Sequence, residues 1–257
     1  MRPRRDLMCR HLAYVGPPIP LERLLFDAPH ALVRQAIAPR RQTATPDNPD
    51  GWGVAWYTAP RAPVRRYRTV TRMWDDDGFG GLHGGVSSGA VVAAARAASP
   101  GSVLDVAGNA PFVDGRWTFS LNGTVPGFRD GFGDELRARL SHARAASLEG
   151  DTDSEVLFAL VRDAMERGAS ACDAVVDVAR DAHARAGGRL NLLLTDGRDV
   201  VATAIGNSLF VRRTRDAVLV ASEPLDDGPG WCEVPNGSAV RTSALDHRVA
   251  PIEGLAA

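Results

Sequence analysis

Lysine is missing altogether: all 30 basic side chains of this 257-residue chain are arginine. That excludes Schiff-base chemistry, pyridoxal-phosphate attachment and the phosphate-gripping lysine of a P-loop. GC-rich coding would produce the same bias, and the exclusion stands either way. Cysteine is scarce as well. Cys9, Cys172 and Cys232 are too widely spaced for a disulfide framework or a zinc knuckle. No apolar run approaches the roughly 20 residues needed to span a bilayer. The basic segment Met1 to Leu7 is followed by neither a continuous apolar stretch nor a small-residue cleavage site, so no signal peptide is expected. A net charge of -1 gives no basis for nucleic-acid or membrane binding. The expectation is a cytoplasmic protein with no nucleic-acid or membrane partner, its oligomeric state open.

What is present is ordinary globular material, 44% hydrophobic and 24% charged, in a chain long enough to bury a substantial core. Residues 9–16 alternate as a strand, with Cys9, His11, Ala13 and Val15 on one side and Arg10, Leu12, Tyr14 and Gly16 on the other. Pro17, Pro18 and Pro20 turn the chain into a short amphipathic helix around Leu21, Leu24 and Leu25. A polar stretch, 40–49, ends at the Gly-opened strand of Asp50-Gly51-Trp52-Gly53-Val54-Ala55-Trp56-Tyr57. The segment 69–85 is loop-rich. Val91 to Ala95 reads as a buried strand ending at Arg96, and Trp117 to Leu121 as another, closed by Asn122-Gly123. Two helices are predicted, one opened by Asp153-Ser154-Glu155 and one over 173–186. Strands follow over 190–195, 200–204, 208–213 and 217–222, with turns at Asp196-Gly197 and Gly206-Asn207. Strands, then two helices, then strands argue for a layered α+β domain. No repeat or linker divides it.

Chemistry concentrates at four places. Cys9 directly follows Met8; if translation starts at Met8 and that methionine is trimmed, Cys9 carries a thiol and a free α-amine together. An α-amine titrates at about 7.7–8.0, near enough to neutrality to serve as the base a thiol needs. Alone, a cysteine in an apolar strand is more often a small buried hydrophobe. Arg96 ends its strand where a planar fork could grip a carboxylate, or simply form an ion pair. Asn122-Gly123 offers an amide and a backbone N–H that would suit an oxyanion, although Asn-Gly is also the commonest hairpin turn. Asp153 could accept from an ammonium group, or the stretch could only cap a helix. Together, a thiol, an arginine, an acid and an oxyanion pair are what an α-amino acid with a cleavable side-chain acyl group requires.

The order of these segments gives a family likeness. Met8-Cys9, Asp50-Gly51-Trp52-Gly53, Arg96 with Ser99-Pro100-Gly101, Asn109-Ala110-Pro111-Phe112, Asn122-Gly123 and Thr152-Asp153-Ser154-Glu155 resemble the motifs of class II glutamine amidotransferases, which are N-terminal-nucleophile hydrolases. The resemblance implies a four-layer αββα sandwich of two antiparallel sheets. A narrower likeness is to the amidohydrolases of ergothioneine biosynthesis, which cleave γ-glutamyl-hercynylcysteine sulfoxide. It rests on Met8 to Leu12, Arg66-Tyr67-Arg68 with Trp74, Leu190 to Gly197, Gly206 to Leu209 and Ala221 to Leu225.

By this resemblance, Cys9 is the nucleophile, and Asn122 with Gly123 forms the oxyanion hole. Arg96 binds the glutamyl carboxylate, Asp153 its ammonium, and Ser99 supports them. The reaction needs no cofactor and no metal, and the partner is a small γ-glutamyl molecule. Residues 1–8 would be a non-native or cleaved extension to a single domain over 9–257, and the lack of a following synthase domain suits a free-standing hydrolase. The alternatives are a glutaminase subunit feeding a separate synthase, or a non-catalytic binding protein if Cys9 is not N-terminal. The family usually has histidine where Leu121 stands, and a strand residue there should point away from the Asn122 side chain. The resemblance also puts Gly53 with Trp52 at the substrate. A trimethylammonium group would draw aromatic faces and carboxylates, which nominates Trp52, Trp56, Trp74 and Trp231 with Asp75, Asp76 and Asp77, Trp74 with Asp75 first, unless these are core and a solvated turn.

Overall fold

In a computed structural model, residues 8–42, 46–59, 62–79, 85–99 and 101–255 are described. Residues 1–7 of the expected N-terminal extension and Pro100 of the Ser-Pro-Gly motif lie outside them.

One antiparallel sheet contains β1 (Arg10–Pro20), β2 (Trp52–Tyr57), β3 (Val64–Thr69), β4 (Ser87–Ala95), β9 (Phe210–Arg213), β10 (Val218–Ala221) and β11 (Trp231–Glu233). Their spatial order is β11-β9-β10-β1-β4-β2-β3, so the strand leading from Cys9 is central. The second contains β5 (Phe112–Asp114), β6 (Trp117–Thr124), β7 (Arg189–Thr195), β8 (Val200–Ala204), β12 (Ser238–Thr242) and β13 (His247–Pro251), ordered β13-β12-β8-β7-β6-β5.

Period-two alternation decides which face each strand shows to which layer. On β1, Ala13 and Val15 face inward and pack with Val92, Val220, Leu193, Ala202 and Val240 between the sheets. Leu12 and Tyr14 face outward, against Leu21, Leu24, Leu25 and α1 (Leu32–Ile37). On the far side, Phe119, Leu121, Leu192 and Leu194 pack under α4 (Asp153–Glu166) and α5 (Ala171–Ala186). The result is the expected αββα order, with unequal outer layers. One is two long helices, the other a π-helical turn at Arg23–Asp27 and six-residue α1. Two further short helices, α2 (Phe132–Arg137) and α3 (His142–Ala146), lead into α4.

Asn122-Gly123 does not close a strand in a tight turn. β6 continues through it, pairing Asn122 with Asn191 and Gly123 with Leu190. Glycine is required there by contact, since a Cβ would lie 1.8 Å from the Arg189 carbonyl oxygen. Gly206-Asn207 is likewise no hairpin, because it carries the chain from β8 in one sheet to β9 in the other. Asp196-Gly197 does join the antiparallel neighbours β7 and β8.

Candidate active site

Five of the expected residues converge. Cys9, Arg96, Ser99, Gly123 and Asp153 line a single cavity of about 250 Å³. They arrive from both sheets and a helix: Cys9 just before β1, Arg96 just after β4, Gly123 in β6, Asp153 as the first residue of α4.

Arg96 is held by its surroundings rather than by an acid. Its Nη1 donates to Asn109 Oδ1 at 3.0 Å and its Nη2 to the Val103 carbonyl at 3.3 Å. The Asp-Gly-Trp-Gly segment clamps its main chain: Asp50 N–H donates to Arg96 O at 3.0 Å and Arg96 N–H to Gly51 O at 2.9 Å. Asp50 Oδ2 then accepts the Ala98 N–H at 2.7 Å. Gly51 sits at φ +110°, and a Cβ there would meet Asn109 Nδ2 at 2.3 Å. Gly53 serves packing too, since its Cβ would meet the Ala110 carbonyl at 2.5 Å.

Asp153 accepts the Val125 N–H at 2.9 Å and the Ser154 N–H at 2.8 Å. Thr152, not Asp153, caps α4, accepting the Glu155 N–H at 3.3 Å. The Glu155 carboxylate reaches back to the N–H groups of Glu149 at 2.6 Å and Gly150 at 2.8 Å. Burial raises the Asp153 carboxyl above its ordinary pKa, against the opposing pull of those N–H bonds and Arg96.

The Cys9 thiol is also raised, by burial first; the Ala97 carbonyl contact and the Arg96 and Arg10 charges oppose that, while Asp153 adds to it. A raised thiol needs a base. His11, on the same strand face, does not supply one. Its ring is fully buried, is within 3.2 Å of Ser120 Oγ, and is pushed down to about 3 by burial and by Arg10.

Asn122 is fully buried and not among the residues lining the cavity. Its Nδ2 donates to Ser222 Oγ at 3.1 Å, and Asn207 Nδ2 lies 3.3 Å from its Oδ1. It shares an inward face with Ser120, opposite Leu121, which packs toward the helices as its parity requires. The aromatic and acidic cluster is elsewhere. Trp52 is 0% exposed in the outer core, and its indole N–H donates to Asp76 Oδ2 at 2.9 Å, beside the Tyr67 hydroxyl at 2.8 Å. Trp74 lies under the Arg72 guanidinium, and exposed Asp75 pairs with Arg72. Among the described residues Trp52, Gly53, Trp74 and Asp75 do not line the cavity that holds Cys9.

Sequence reading missed the groups that hold the site: Asn109 and Gly108 under Arg96, and Ser222 and Asn207 around Asn122. The only signal was that Asn109, Asn207 and Ser222 sit inside the quoted motifs, with Gly108 immediately before one of them. Among the described residues no cluster suited to a metal ion occurs.

A family model for class-II glutamine amidotransferases matches residues 27–216. The chain belongs to that family. The matched span holds Arg96, Ser99, Asn122, Gly123 and Asp153 and begins after Cys9. Among relatives of this amidotransferase-family chain, the gamma-glutamyl-hercynylcysteine sulfoxide hydrolase of Mycolicibacterium smegmatis is 36% identical over 89% of this chain and 93% of its own. The protein so named from Mycobacterium tuberculosis H37Rv is 36% identical over 92% and 93%. A solved glutamine aminotransferase class-II domain protein from Silicibacter pomeroyi superposes with a TM-score of 0.68 at 25% identity, covering 95% of this chain and 99% of that one. The glutamine phosphoribosylpyrophosphate amidotransferase of B. subtilis shares the fold, with a TM-score of 0.67 at 13% identity over 96% of this chain and 50% of its own. The architecture is that of the N-terminal-nucleophile amidotransferases. No helix among the described residues is long and apolar enough to cross a membrane.

Proposed function

We propose that this chain hydrolyses the γ-glutamyl amide of γ-glutamyl-hercynylcysteine sulfoxide, releasing glutamate and hercynylcysteine sulfoxide in the cytoplasm. The observation that carries the reading is the meeting of Cys9, Arg96, Gly123 and Asp153 on one cavity. The two mycobacterial relatives support the substrate.

In this reading residues 1–8 are removed, and the single domain over 9–257 begins with a free α-amine on Cys9. That amine takes the thiol proton, and the thiolate attacks the γ-carbonyl carbon. Charge develops on the carbonyl oxygen, where the Gly123 N–H and the Asn122 amide donate, a contribution of about 3–4 kcal/mol per donor. The C–N bond breaks, the ammonium returns its proton to the departing amine, and a γ-glutamyl thioester remains. Water, deprotonated by the same amine, attacks the thioester; the C–S bond breaks and glutamate leaves. Arg96 holds the α-carboxylate through the donors its partners leave free. Asp153 holds the α-ammonium, a cation that its buried carboxylate gains by meeting. Ser99 supports the glutamyl group at the cavity wall. Every step uses the chain's own groups and water.

The test compares kcat/KM for γ-glutamyl-hercynylcysteine sulfoxide and for L-glutamine, using chain that begins at Cys9. A preference for the sulfoxide of about 100-fold or more is expected, with activity lost in Cys9→Ala. Equal or better use of glutamine would instead support an ammonia-supplying glutaminase. Absence of turnover of either would overturn the catalytic reading.

A further inference from the structure

Two backbone segments must hold a fixed relation for the proposed chemistry: the start of β1, which carries Cys9, and β6, which carries Asn122. They lie in different sheets. The His11 ring already links β1 to β6 through Ser120 Oγ at 3.2 Å, and a third side chain, from outside both strands, bridges them at the Asn122 amide itself. Ser222, fully buried just past the end of β10, accepts the His11 N–H on its Oγ at 3.0 Å and the Asn122 Nδ2–H on the same oxygen at 3.1 Å.

The local ladder shows why a hydroxyl is needed. β1 and β10 pair regularly from Val15 with Val218 to Leu12 with Ala221. At the next position Ser222 N–H still donates to the His11 carbonyl at 2.9 Å. The return bond, from His11 N–H, does not go to the Ser222 carbonyl, which accepts the Ser208 hydroxyl at 2.8 Å. The Ser222 hydroxyl replaces it, so the main chain two residues from Cys9 hangs on the oxygen that also holds Asn122. The far end of the Asn122 amide is fixed by Asn207, whose Nδ2 lies 3.3 Å from Oδ1 and donates to the Asn122 carbonyl at 2.9 Å. Asn191 holds the Asn207 carbonyl in turn, at 3.0 Å. With a donor on Oδ1 and Ser222 taking one Nδ2 hydrogen, the amide is oriented with its second hydrogen uncommitted to Ser222.

We propose that Ser222 is a positioning residue that locks the Cys9-bearing strand to the Asn122 amide, so that nucleophile and oxyanion donor keep one spacing across the two sheets. This rests on Asn122 being an oxyanion donor, as in the proposed function. A misplacement on the order of 1 Å at such a site costs about 100-fold in rate, and one oxyanion donor is worth about 100- to 1,000-fold in kcat.

The experiment measures Ser222→Ala on γ-glutamyl-hercynylcysteine sulfoxide, alongside the rate at which iodoacetamide alkylates Cys9. Alkylation develops no oxyanion, so it reports thiol access and activation alone. The expected result is a fall in kcat of about 10- to 100-fold, with KM and the alkylation rate each within about twofold of wild type. A kcat within threefold of wild type would overturn the proposal, as would kcat and alkylation falling together, which marks general disorder of the site. Ser222→Cys keeps the shape and loses the strong acceptor, so it answers the same question if the alanine variant does not fold. Its kcat should fall about tenfold or more with KM unchanged, and wild-type kcat would overturn the proposal. If wild-type protein leaves the amide intact, the proposed function itself fails, and the role of Ser222 with it. Wild-type turnover with an indifferent Ser222 removes only this inference.

Discussion

Asp153 is the side chain whose environment sets a measurable pH behaviour. Its buried carboxyl is raised above the ordinary value, and only the ionised form can pair with a substrate ammonium. Beside the limb set by protonation of the Cys9 α-amine, a second acid limb of kcat/KM is therefore expected above the usual carboxylate pKa of about 3.9, with activity falling further as pH falls through it. Asp153→Asn should raise KM and remove that limb; an unchanged limb would place the titration on another group. Gly108 tests Arg96 in the same way. A Cβ there would lie 2.7 Å from Nη1 and 2.9 Å from Nη2 of Arg96, so Gly108→Ala pushes the guanidinium aside. KM should rise about tenfold or more while stability changes by less than about 1 kcal/mol, read by substrate titration and thermal melting. At this scale the sequence was legible where a residue's chemistry is scarce and its motif ordered: Cys9, Arg96, Ser99, Gly123 and Asp153 share the cavity. Trp52, Trp74 and Asp75 lie apart from that cavity. An aromatic residue next to acids reads the same whether the indole N–H faces a ligand or, as for Trp52, a neighbouring aspartate.

Among the elements, α4 matters most, because its first turn presents Asp153 to the cavity. Its start depends on Thr152 as cap and on Glu155, which gathers the N–H groups of Glu149 and Gly150. Thr152→Ala should lower stability by about 1 kcal/mol. A rise in KM should accompany it, measured by denaturant melts and steady-state kinetics; loss of stability with unchanged KM would show that Asp153 is held without the cap. β6 shows how element reading fails. Asn-Gly signals a hairpin when only nearest neighbours are weighed, but here β7 continues the ladder past it and the Arg189 carbonyl leaves room only for glycine. β3, β5 and the strands after residue 230 were also unread, being short or half-exposed and without a clean alternation. The long periodic helices and the inward alternation of β1 were read correctly because burial on one face enforces the period.

The whole molecule is two sheets closed on an apolar filling, with the His11 ring trapped inside it. His11 is pushed to about 3, below its ordinary 6.5, so folding favours its neutral form. That contribution is complete above about pH 6.5 and is lost as pH falls from there toward 3, at up to about 1.4 kcal/mol per pH unit. The loss of stability between pH 7 and pH 5 should thus be about 2 kcal/mol smaller in His11→Gln than in wild type, by urea denaturation. Equal losses would mean that the ring is protonated within the fold. A low-pKa His11 also leaves the α-amine of Cys9 as the base on which the account depends. Intact-mass spectrometry of protein purified from its own host, quenched during turnover of γ-glutamyl-hercynylcysteine sulfoxide, tests this most directly. The account predicts a chain that begins at Cys9 and carries a γ-glutamyl group on that residue. A fully active chain that retains Met1 to Met8, or turnover with no acyl group on Cys9, would contradict it.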